Sequence, residues 1–291
     1  MRQAWLPTKL IKTMKALFDS VSIRTSKMVT NAYSTSFSLG IKFLAKKLHN
    51  PIYAIYGFVR FADEIVDTFH DYDKGLLLEE FKNETRTAIE RGISINPVLN
   101  SFQQVVRQYH IDPWLIQTFL HSMEMDLNKQ AYDQKGYEEY ILGSAEVVGL
   151  MCLKVFVEGD EKAYKELTPY AMKLGSAFQK INFLRDFNDD VQQLGRAYFP
   201  QLQHNTFNEE TKKEIEADIQ HDFQLGLEGI KRLPKDARFG VYVAYIYYSN
   251  LLKKIMNMPP QRIMNERVRI DDKKKIALFF GSYLRHSFNL L

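Results

Sequence analysis

The stretch INFLRDFNDDVQQLGRAYFP occupies residues 181–200. Read as a helix, it places Asn182, Asp186 and Asp190 at positions i, i+4 and i+8, so their side chains lie along one face, with Asp189 beside them. Like charges at this spacing repel by a few tenths of a kcal/mol per pair. A solvated acidic face is one interpretation. The other is a site for a hard cation such as Mg²⁺, because carboxylate and amide oxygens are the ligands that this ion prefers.

A second acidic stretch favours the cation site. Residues 53–67 read YAIYGFVRFADEIVD, which is helical in pattern and places Asp63 and Asp67 four residues apart. Apolar and aromatic residues surround these two aspartates, whereas a solvated helix face is rich in Lys and Glu. We therefore expect both carboxylates to be partly buried, and a buried carboxylate needs a partner.

Each acidic stretch also carries an arginine. Arg60 lies three residues before Asp63, and Arg185 directly precedes Asp186. Carboxylates, Mg²⁺ and arginine form the composition expected around a diphosphate, because the metal bridges acid and phosphate while the guanidinium clamps phosphate oxygens. The two stretches together predict a diphosphate site.

At these residues the chain resembles the squalene/phytoene synthases, which condense prenyl diphosphates head to head. The two aspartate-rich motifs of that family are similar to DxxxD, and residues 63–67 (DEIVD) and 186–190 (DFNDD) match them. The resemblance runs from about Tyr33 to the neighbourhood of Lys275. The residues around the second motif also match the family pattern, namely Gln179 and Asn182 before it and Gly195, Arg196, Tyr198 and Pro200 after it.

The resemblance implies an all-α, single-domain helical bundle of the isoprenoid-synthase type with a central apolar cavity, extending over residues 14–291. It implies Mg²⁺, with Mn²⁺ as an alternative, held by Asp63, Asp67, Asn182, Asp186 and Asp190. The four aspartates of this set and Tyr140, placed near the reacting carbons, are expected to be catalytic. The residues expected to bind the substrate are Ser34, Ser36, Arg60, Gln179, Arg185, Tyr198, Tyr248 and Arg267.

The helical prediction also rests on periodicity. Prolines fall near plausible helix starts or loops, and between them lie segments of about 15 to 28 residues with apolar spacing near 3.6. Runs of alternating β-branched residues are scarce. These patterns favour an all-α fold.

Three positions depart from the family pattern. Thr35 stands between the two serines of the S-x-S-F motif, where some relatives have a lysine. The family segment Y-x-x-x-V-A-G-x-V-G is matched from Tyr140 to Gly149, but Ser144 and Glu146 occupy its V and first G. A charge facing a prenyl chain would be costly. We therefore expect either that Glu146 points away or that this wall of the cavity has a different shape.

Two further residues have alternative interpretations. Asp126 resembles a family position near the substrate entrance, although an exposed helix acid would give the same pattern. Cys152 is the single cysteine, which excludes an internal disulfide and suits a reducing compartment. Its apolar neighbours predict a core position.

Composition sets limits on location and partners. The chain has 291 residues, of which 45% are hydrophobic, and a formal net charge of +4. This charge fits anionic substrates or contact with a membrane surface, but lysines spread along the chain would give the same value. No apolar run approaches the roughly 18 residues that a membrane span needs. We expect a cytoplasmic protein with no nucleic-acid partner, and peripheral membrane contact at most; the oligomeric state is left open.

Residues 1–13 are expected to be a disordered extension, with a basic amphipathic segment lying on a membrane as the alternative.

The resemblance leaves three activities to compare. Phytoene synthase joins two geranylgeranyl diphosphates through a cyclopropyl diphosphate for carotenoid synthesis, without a redox cofactor. Squalene or dehydrosqualene synthase acts on farnesyl diphosphate, and squalene formation would need NADPH. We favour the first, because the chain is short and lacks the hydrophobic C-terminal anchor common in eukaryotic squalene synthases. The third is a non-catalytic assembly factor, but members of that kind have lost the acidic residues present here. The proton acceptor is either Tyr140 or the released diphosphate.

Overall fold

The computed structural model describes residues 8–128, 131–192, 195–203 and 207–269. Outside helices, the one β pairing within these ranges is an isolated bridge between Ala131 and Ala197. The prediction of an all-α fold is confirmed. The α-helices are α1 (Thr8–Tyr33), α2 (Thr35–Lys42), α3 (Lys46–Asp67), α4 (Lys74–Arg91), α5 (Pro97–Gln108), α6 (Pro113–Asn128), α7 (Gln134–Ile141), α8 (Val147–Phe156), α9 (Glu161–Arg185), α10 (Phe187–Gln192), α11 (Glu209–Arg232), α12 (Lys235–Met256) and α13 (Pro260–Asn265).

Side-chain caps set several helix starts. An oxygen of the capping side chain accepts backbone N–H bonds of the first turn, which have no partner within the helix. The caps of α4, α5, α7, α9 and α11 are Asp73, Asn96, Asp133, Asp160 and Asn208.

Two prolines do not lie where the sequence predicted them. Pro51 and Pro169 are inside α3 and α9 rather than near a helix start or in a loop. An interior proline removes one backbone hydrogen bond and usually kinks or ends a helix. Pro51 is buried among packed helices, which hold α3 together. Pro169 is exposed, so water can serve the carbonyl that it frees.

Two apolar clusters form the core. The first joins α3 to α4, α5, α6 and α8, and the stacked rings of Phe58 and Phe102, with centroids 3.9 Å apart, lie at its centre. The second joins α9 to α11 and α12 and includes the stacked rings of Phe183 and Tyr198, with centroids 4.1 Å apart. Residues from both clusters line one cavity, which confirms the predicted central apolar cavity.

A π-helical turn connects α7 to α8 at Leu142–Glu146. Small residues let its neighbours approach closely: a Cβ added to Gly143 would lie 2.5 Å from the Cβ of Ser122, and one added to Gly175 would lie 2.9 Å from the carbonyl oxygen of Ala145. π-turns inside helical segments occur frequently at functional sites. This turn forms part of the cavity wall.

The start of α1 differs from the sequence-based expectation. Residues 8–13 form its first turns, whereas residues 1–13 were expected to be disordered. The expectation stays a prediction for residues 1–7, which lie outside the described ranges. Among the helices of the described ranges, none combines the length and the apolar character that crossing a bilayer requires.

Candidate functional site

The cavity has a volume of about 310 Å³ and one polar end. Its lining residues on α3 run from Ile52 to Asp63, and those on α9 run from Leu167 to Asn182. At 1.5 Å per residue these stretches are about 16 and 22 Å long. Asp63 and Asn182 lie towards the C-terminal ends of their helices, together with Gln179, whereas the rest of the lining is mostly apolar. The cavity can therefore take a long apolar chain with a polar head at one end.

The second acidic motif is not one continuous helix. α9 ends at Arg185, and α10 begins at Phe187. Across this break the backbone N–H of Asp186 still donates to the carbonyl of Asn182 at 2.9 Å, and that of Asp190 donates to the carbonyl of Asp186 at 2.9 Å. The predicted i, i+4, i+8 spacing is therefore kept although the helix bends at its middle member.

The two acidic motifs meet at the polar end. Burial, together with the negative charges of Asp186 and Asp67, raises the pKa of Asp190 to about 8. Burial and the charge of Asp67 likewise raise the pKa of Asp63 to about 7. Asp63 keeps 31% of its side-chain surface open, because it faces the cavity rather than packed atoms. Carboxyl groups from α3 and α10 are therefore crowded together where bulk water is scarce.

Arginines pair with these acids. Arg60 Nη1 lies 3.8 Å from Asp63 and the same side chain also bonds Glu64. Arg185 Nε donates to Asp186 at 3.0 Å. Arg267 Nε lies 2.8 Å from Oδ1 of the same carboxylate. The predicted arginines thus lie at the polar end, each in contact with an acid.

The other predicted residues fall into three groups. Gln179 lines the cavity, and Tyr248 donates its hydroxyl to Asn182 Oδ1 at 3.1 Å. Ser34 caps α2, since its Oγ accepts the backbone N–H of Phe37 at 3.2 Å. The side chain of Ser36 lies outside the described part of the structure. Tyr198 is buried in an aromatic cluster and is not among the residues that line the cavity.

Asp126 is a site residue that the sequence left between two interpretations. It is buried, not an exposed helix acid. Its carboxylate accepts the hydroxyl of Tyr140 at 2.7 Å and those of Tyr132 and Tyr198 at 3.3 Å each. Burial raises the pKa of Asp126 to about 6, although Arg196 and the Tyr140 hydroxyl oppose this rise. The sequence spacing does not show that these tyrosines meet at one carboxylate. Only tertiary packing brings them to Asp126.

Arg196 is the second residue missing from the predicted site. Its Nη1 donates to Asp67 at 2.8 Å, and its Nη2 donates to the backbone carbonyl of Asp126 at 3.1 Å. The segment after the second acidic motif is thereby tied to the first motif. The family-like G-R-x-Y pattern was the signal for this residue.

Glu146 points away from the cavity, which confirms the first of the two alternatives that the sequence predicts for it. The lining includes Ser144 and Ala145 from the π-turn but not Glu146. Burial raises the pKa of Glu146 to about 7, and the positive charge of Lys173 opposes this rise. Among the described residues the Oγ of Ser144 has no hydrogen-bond partner, so it gives the cavity wall one unpaired polar atom.

The carboxylate and amide oxygens at the polar end fit an Mg²⁺ ion that is bound by the protein and a substrate together. In the described ranges, no three His, Cys, Asp or Glu side chains converge closely enough to form a ready-made metal cage. Mg²⁺ is usually bound through one or two carboxylates, with phosphate and water completing its octahedron. Carboxyls with raised pKa values, such as Asp63 and Asp190, are the groups whose repulsion a divalent cation relieves.

Comparison with known proteins gives a consistent result. The squalene/phytoene synthase family model matches residues 30–274. The 4,4'-diapophytoene synthase of Staphylococcus haemolyticus is 26% identical over 192 residues, which cover 64% of this chain and 65% of the relative. The phytoene synthase of Arthrospira platensis is 26% identical over 294 residues, covering 91% of this chain and 94% of the relative. A solved dehydrosqualene synthase in complex with ligand has a TM-score of 0.78 at 21% identity, covering 92% of this chain and 98% of its own, and supports the fold.

Replacing Glu146 by Gln tests the placement of this carboxyl. Its pKa of about 7 in the folded state exceeds the ordinary glutamate pKa of 4.5. The folded state therefore holds a proton that the unfolded state releases between these values, and stability falls as pH rises through that window. Gln removes this loss. We expect the advantage of Glu146→Gln in free energy of unfolding to grow from pH 4.5 to 7, by on the order of 1–3 kcal/mol, and then to level off.

Urea denaturation at a series of pH values measures this effect. Glu138→Gln is the matched control, because Glu138 is exposed two residues before Tyr140 and its replacement should give no such trend. A pH-independent difference between Glu146→Gln and the wild type would contradict the assigned burial.

Proposed function

Since the chain belongs to the squalene/phytoene synthase family, we propose that it is a prenyltransferase that condenses two geranylgeranyl diphosphates head to head to phytoene. The observation that carries the proposal is the meeting of two aspartate motifs at the polar end of an apolar cavity, joined by the 2.8 Å bond from Arg196 to Asp67. A diphosphate head and a prenyl tail match the two parts of this site.

Loss of the diphosphate from the first substrate requires neutralisation of the charge that develops on the leaving group. The proposed ligands of Mg²⁺ are Asp63, Asp67, Asn182, Asp186 and Asp190, and the ion when bound supplies Lewis-acid assistance to that departure. Arg60, Arg185 and Arg267 add fixed positive charge at the same end. Each of these arginines contacts an acid. A phosphate can replace a carboxylate as the partner of a guanidinium, so the diphosphate would bind the same arginines.

The cavity then protects the allylic cation. Its apolar walls exclude water, which would otherwise quench the cation. Phe37, Tyr56 and Phe178 line the cavity. Aromatic faces carry partial negative charge and attract cations, so these rings offer stabilisation without a nucleophile. The double bond of the second substrate attacks the cation, and proton loss closes the cyclopropane.

Tyr140 is proposed to face the reacting carbons. Its hydroxyl donates to Asp126 at 2.7 Å, which leaves the oxygen lone pairs available to the cavity that Tyr140 lines. Burial raises the pKa of Tyr140 well above its ordinary value, so the phenol stays neutral and is a weak base. Of the two candidate proton acceptors, the released diphosphate is therefore favoured. The proposed role of Tyr140 is to direct its oxygen lone pairs at the positively charged reacting carbons.

Geranylgeranyl diphosphate is preferred because the phytoene synthase of Arthrospira platensis matches almost the whole chain. The alternative substrate is farnesyl diphosphate, which the 4,4'-diapophytoene synthase, also 26% identical, supports. Squalene formation would add NADPH as reductant. A non-catalytic role is disfavoured by the presence of all five proposed metal ligands. A cytoplasmic enzyme with peripheral membrane contact suits substrates and products that partition into lipid.

Product analysis tests the substrate. Purified protein incubated with Mg²⁺ and geranylgeranyl diphosphate is expected to yield a C40 hydrocarbon without NADPH, because two C20 units are joined and no reduction is required. Parallel incubations with farnesyl diphosphate, with and without NADPH, are the comparison. Chromatography with mass spectrometry identifies the hydrocarbon. A C30 product formed in preference would contradict the proposed chain length.

Single-charge variants test the metal ligands. Asp63→Asn and Asp186→Asn keep the side-chain volume but remove the charge that binds the metal, so turnover is expected to fall by at least about 1,000-fold. Asp71→Asn, in an exposed position after α3, is the matched control and should leave turnover unchanged. Steady-state kinetics gives the rates, and circular dichroism verifies the helices. Near-normal turnover in either variant would refute the metal assignment.

Asp126→Asn tests a positioning role. Asn cannot accept three hydroxyls as a carboxylate does, so Tyr140 should lose its orientation and kcat should fall on the order of 100-fold. KM should change little, because Asp126 does not line the cavity. Tyr132→Phe removes one bond to the same carboxylate but keeps the ring that packs against Tyr140, so it should cost less. Equal losses in the two variants would indicate a structural role instead.

A further inference from the structure

A buried ion pair joins α9 to α11 behind the cavity wall. Asp222 on α11 is completely buried, and Lys180 on α9 is only 6% exposed. The Lys180 ammonium donates to Asp222 Oδ2 at 2.6 Å, and the hydroxyl of Ser176 donates to the same oxygen at 2.9 Å. Lys173 Nζ lies 2.9 Å from Asp222 Oδ1, and Lys180 also donates to the exposed Asp218 at 2.5 Å. We call Ser176, Lys180 and Asp222 the α9–α11 network.

The α9–α11 network lies outside the site described above, since none of its three residues lines the cavity. A buried ion pair adds little net stability, because the desolvation of its two charges offsets their attraction. Its hydrogen bonds are, however, strongly directional. The feature that this pair adds to the fold is therefore a fixed geometry between the two helices.

Glycines occupy the same interface beyond Asp222. A Cβ added to Gly226 would lie 3.1 Å from the Cβ of Leu174, and one added to Gly229 would lie 2.4 Å from the Cβ of Tyr170. The glycines let α11 approach α9 closely, but they carry no side chain that could interlock with α9 and resist its rotation. The hydrogen bonds to Asp222 supply the directional restraint that this part of the interface lacks.

The network shares its turns of α9 with two residues of the candidate site. Gln179 directly precedes Lys180, and Asn182 follows it by two residues. At 100° per residue, Lys180 points about 100° away from Gln179 and about 160° away from Asn182, so the network holds the side of the helix that faces away from the cavity. A rotation of α9 by about 10° would move a side-chain atom about 5–6 Å from the helix axis by about 1 Å.

A displacement of this size matters for a metal ligand, because a productive site holds its groups to within about 0.5 Å. Local contacts orient the Asn182 side chain: its Oδ1 accepts the hydroxyl of Tyr248 at 3.1 Å, and its Nδ2 donates to Gln179 at 3.4 Å. These contacts set the side chain relative to the helix, but they do not set the helix relative to α11.

We propose that the α9–α11 network is a positioning element that fixes the rotation of α9 about its axis. It thereby holds Asn182 where this side chain can bind Mg²⁺ together with a diphosphate. The inference rests on the proposed function, because it takes Asn182 as a metal ligand. Lys180 and Asp222 touch neither the metal nor the substrate and act only through the helix.

Isothermal titration calorimetry of the full-length protein tests the inference. The probe is inorganic diphosphate, titrated in the presence of Mg²⁺, so that no turnover is involved. Lys180→Met and Asp222→Asn should each weaken diphosphate binding by roughly 10-fold, as is typical when a group that orients a metal ligand is lost. Lys180→Arg keeps the cation and should retain most of the affinity.

The two weakened variants change the charge in opposite directions, which separates positioning from a field effect. Lys180→Met removes a positive charge and Asp222→Asn removes a negative one. A field effect alone would weaken binding of the anion in the first variant and strengthen it in the second. The double variant should bind about as weakly as either single variant, because both substitutions remove one shared bond. It leaves neither charge of the pair without its partner, so it also serves where a single variant does not fold.

Lys154→Met is the matched control. Lys154 is also 6% exposed, and it donates at 2.5 Å to Glu161 in the first turn of α9, at the other end of the helix from Asn182. This variant should lower the melting temperature as the others do but leave diphosphate binding unchanged. Weakened binding in Lys154→Met, or binding as tight as in the wild type in Asp222→Asn, would overturn the inference. A wild type that binds no diphosphate with Mg²⁺ would overturn the proposed function, and the inference with it.

Discussion

Repulsion among carboxylates confined at one end of an apolar cavity is the constraint on which the rest of the site depends. Asp63 and Asp190 come from different parts of the chain, and both have pKa values raised by burial and by neighbouring acids. Such a cluster is unfavourable in itself, and folded proteins keep unfavourable groupings where function needs them. Stability must come from elsewhere, and here two large apolar clusters surround the cavity.

Arginines offset the repulsion among the acids of this cluster. Arg185 and Arg267 both contact the carboxylate of Asp186, and Arg196 bonds Asp67. A guanidinium that pairs with a carboxylate in one state can pair with a phosphate in another, because both partners present two oxygens in similar geometry. Under the proposed function, the arginines that pair with the acids would also bind the diphosphate. Arg196 differs from the others because it is buried and ties the two acidic motifs to each other.

Local spacing predicted the acidic residues well, since i, i+4 positions on a helix share a face regardless of the rest of the fold. Asn182, Asp186 and Asp190 keep that spacing even across the bend between α9 and α10. Spacing could not predict the network around Asp126, because Tyr132, Tyr140 and Tyr198 reach it from separate segments. The family pattern gave Tyr140 and Tyr198, but their common hydrogen-bond acceptor follows only from tertiary packing.

The helix α1 shows why an apolar period alone does not determine which face is buried. Met14, Leu17, Val21 and Met28 have the spacing of a core-facing stripe, and the opposite face carries serines that would ordinarily face water. Which face of α1 is buried is determined by α5, whose Asn100 and Ser101 hydrogen-bond to the serines of α1. Buried amide and hydroxyl groups need partners, so the hydrogen bonds from Asn100 and Ser101 keep the serines inward while Met14, Leu17, Val21 and Met28 stay partly exposed. Polar partners therefore set the orientation of α1, as Asp126 does for Tyr140, while burial of apolar surface in the two core clusters supplies the driving force for folding.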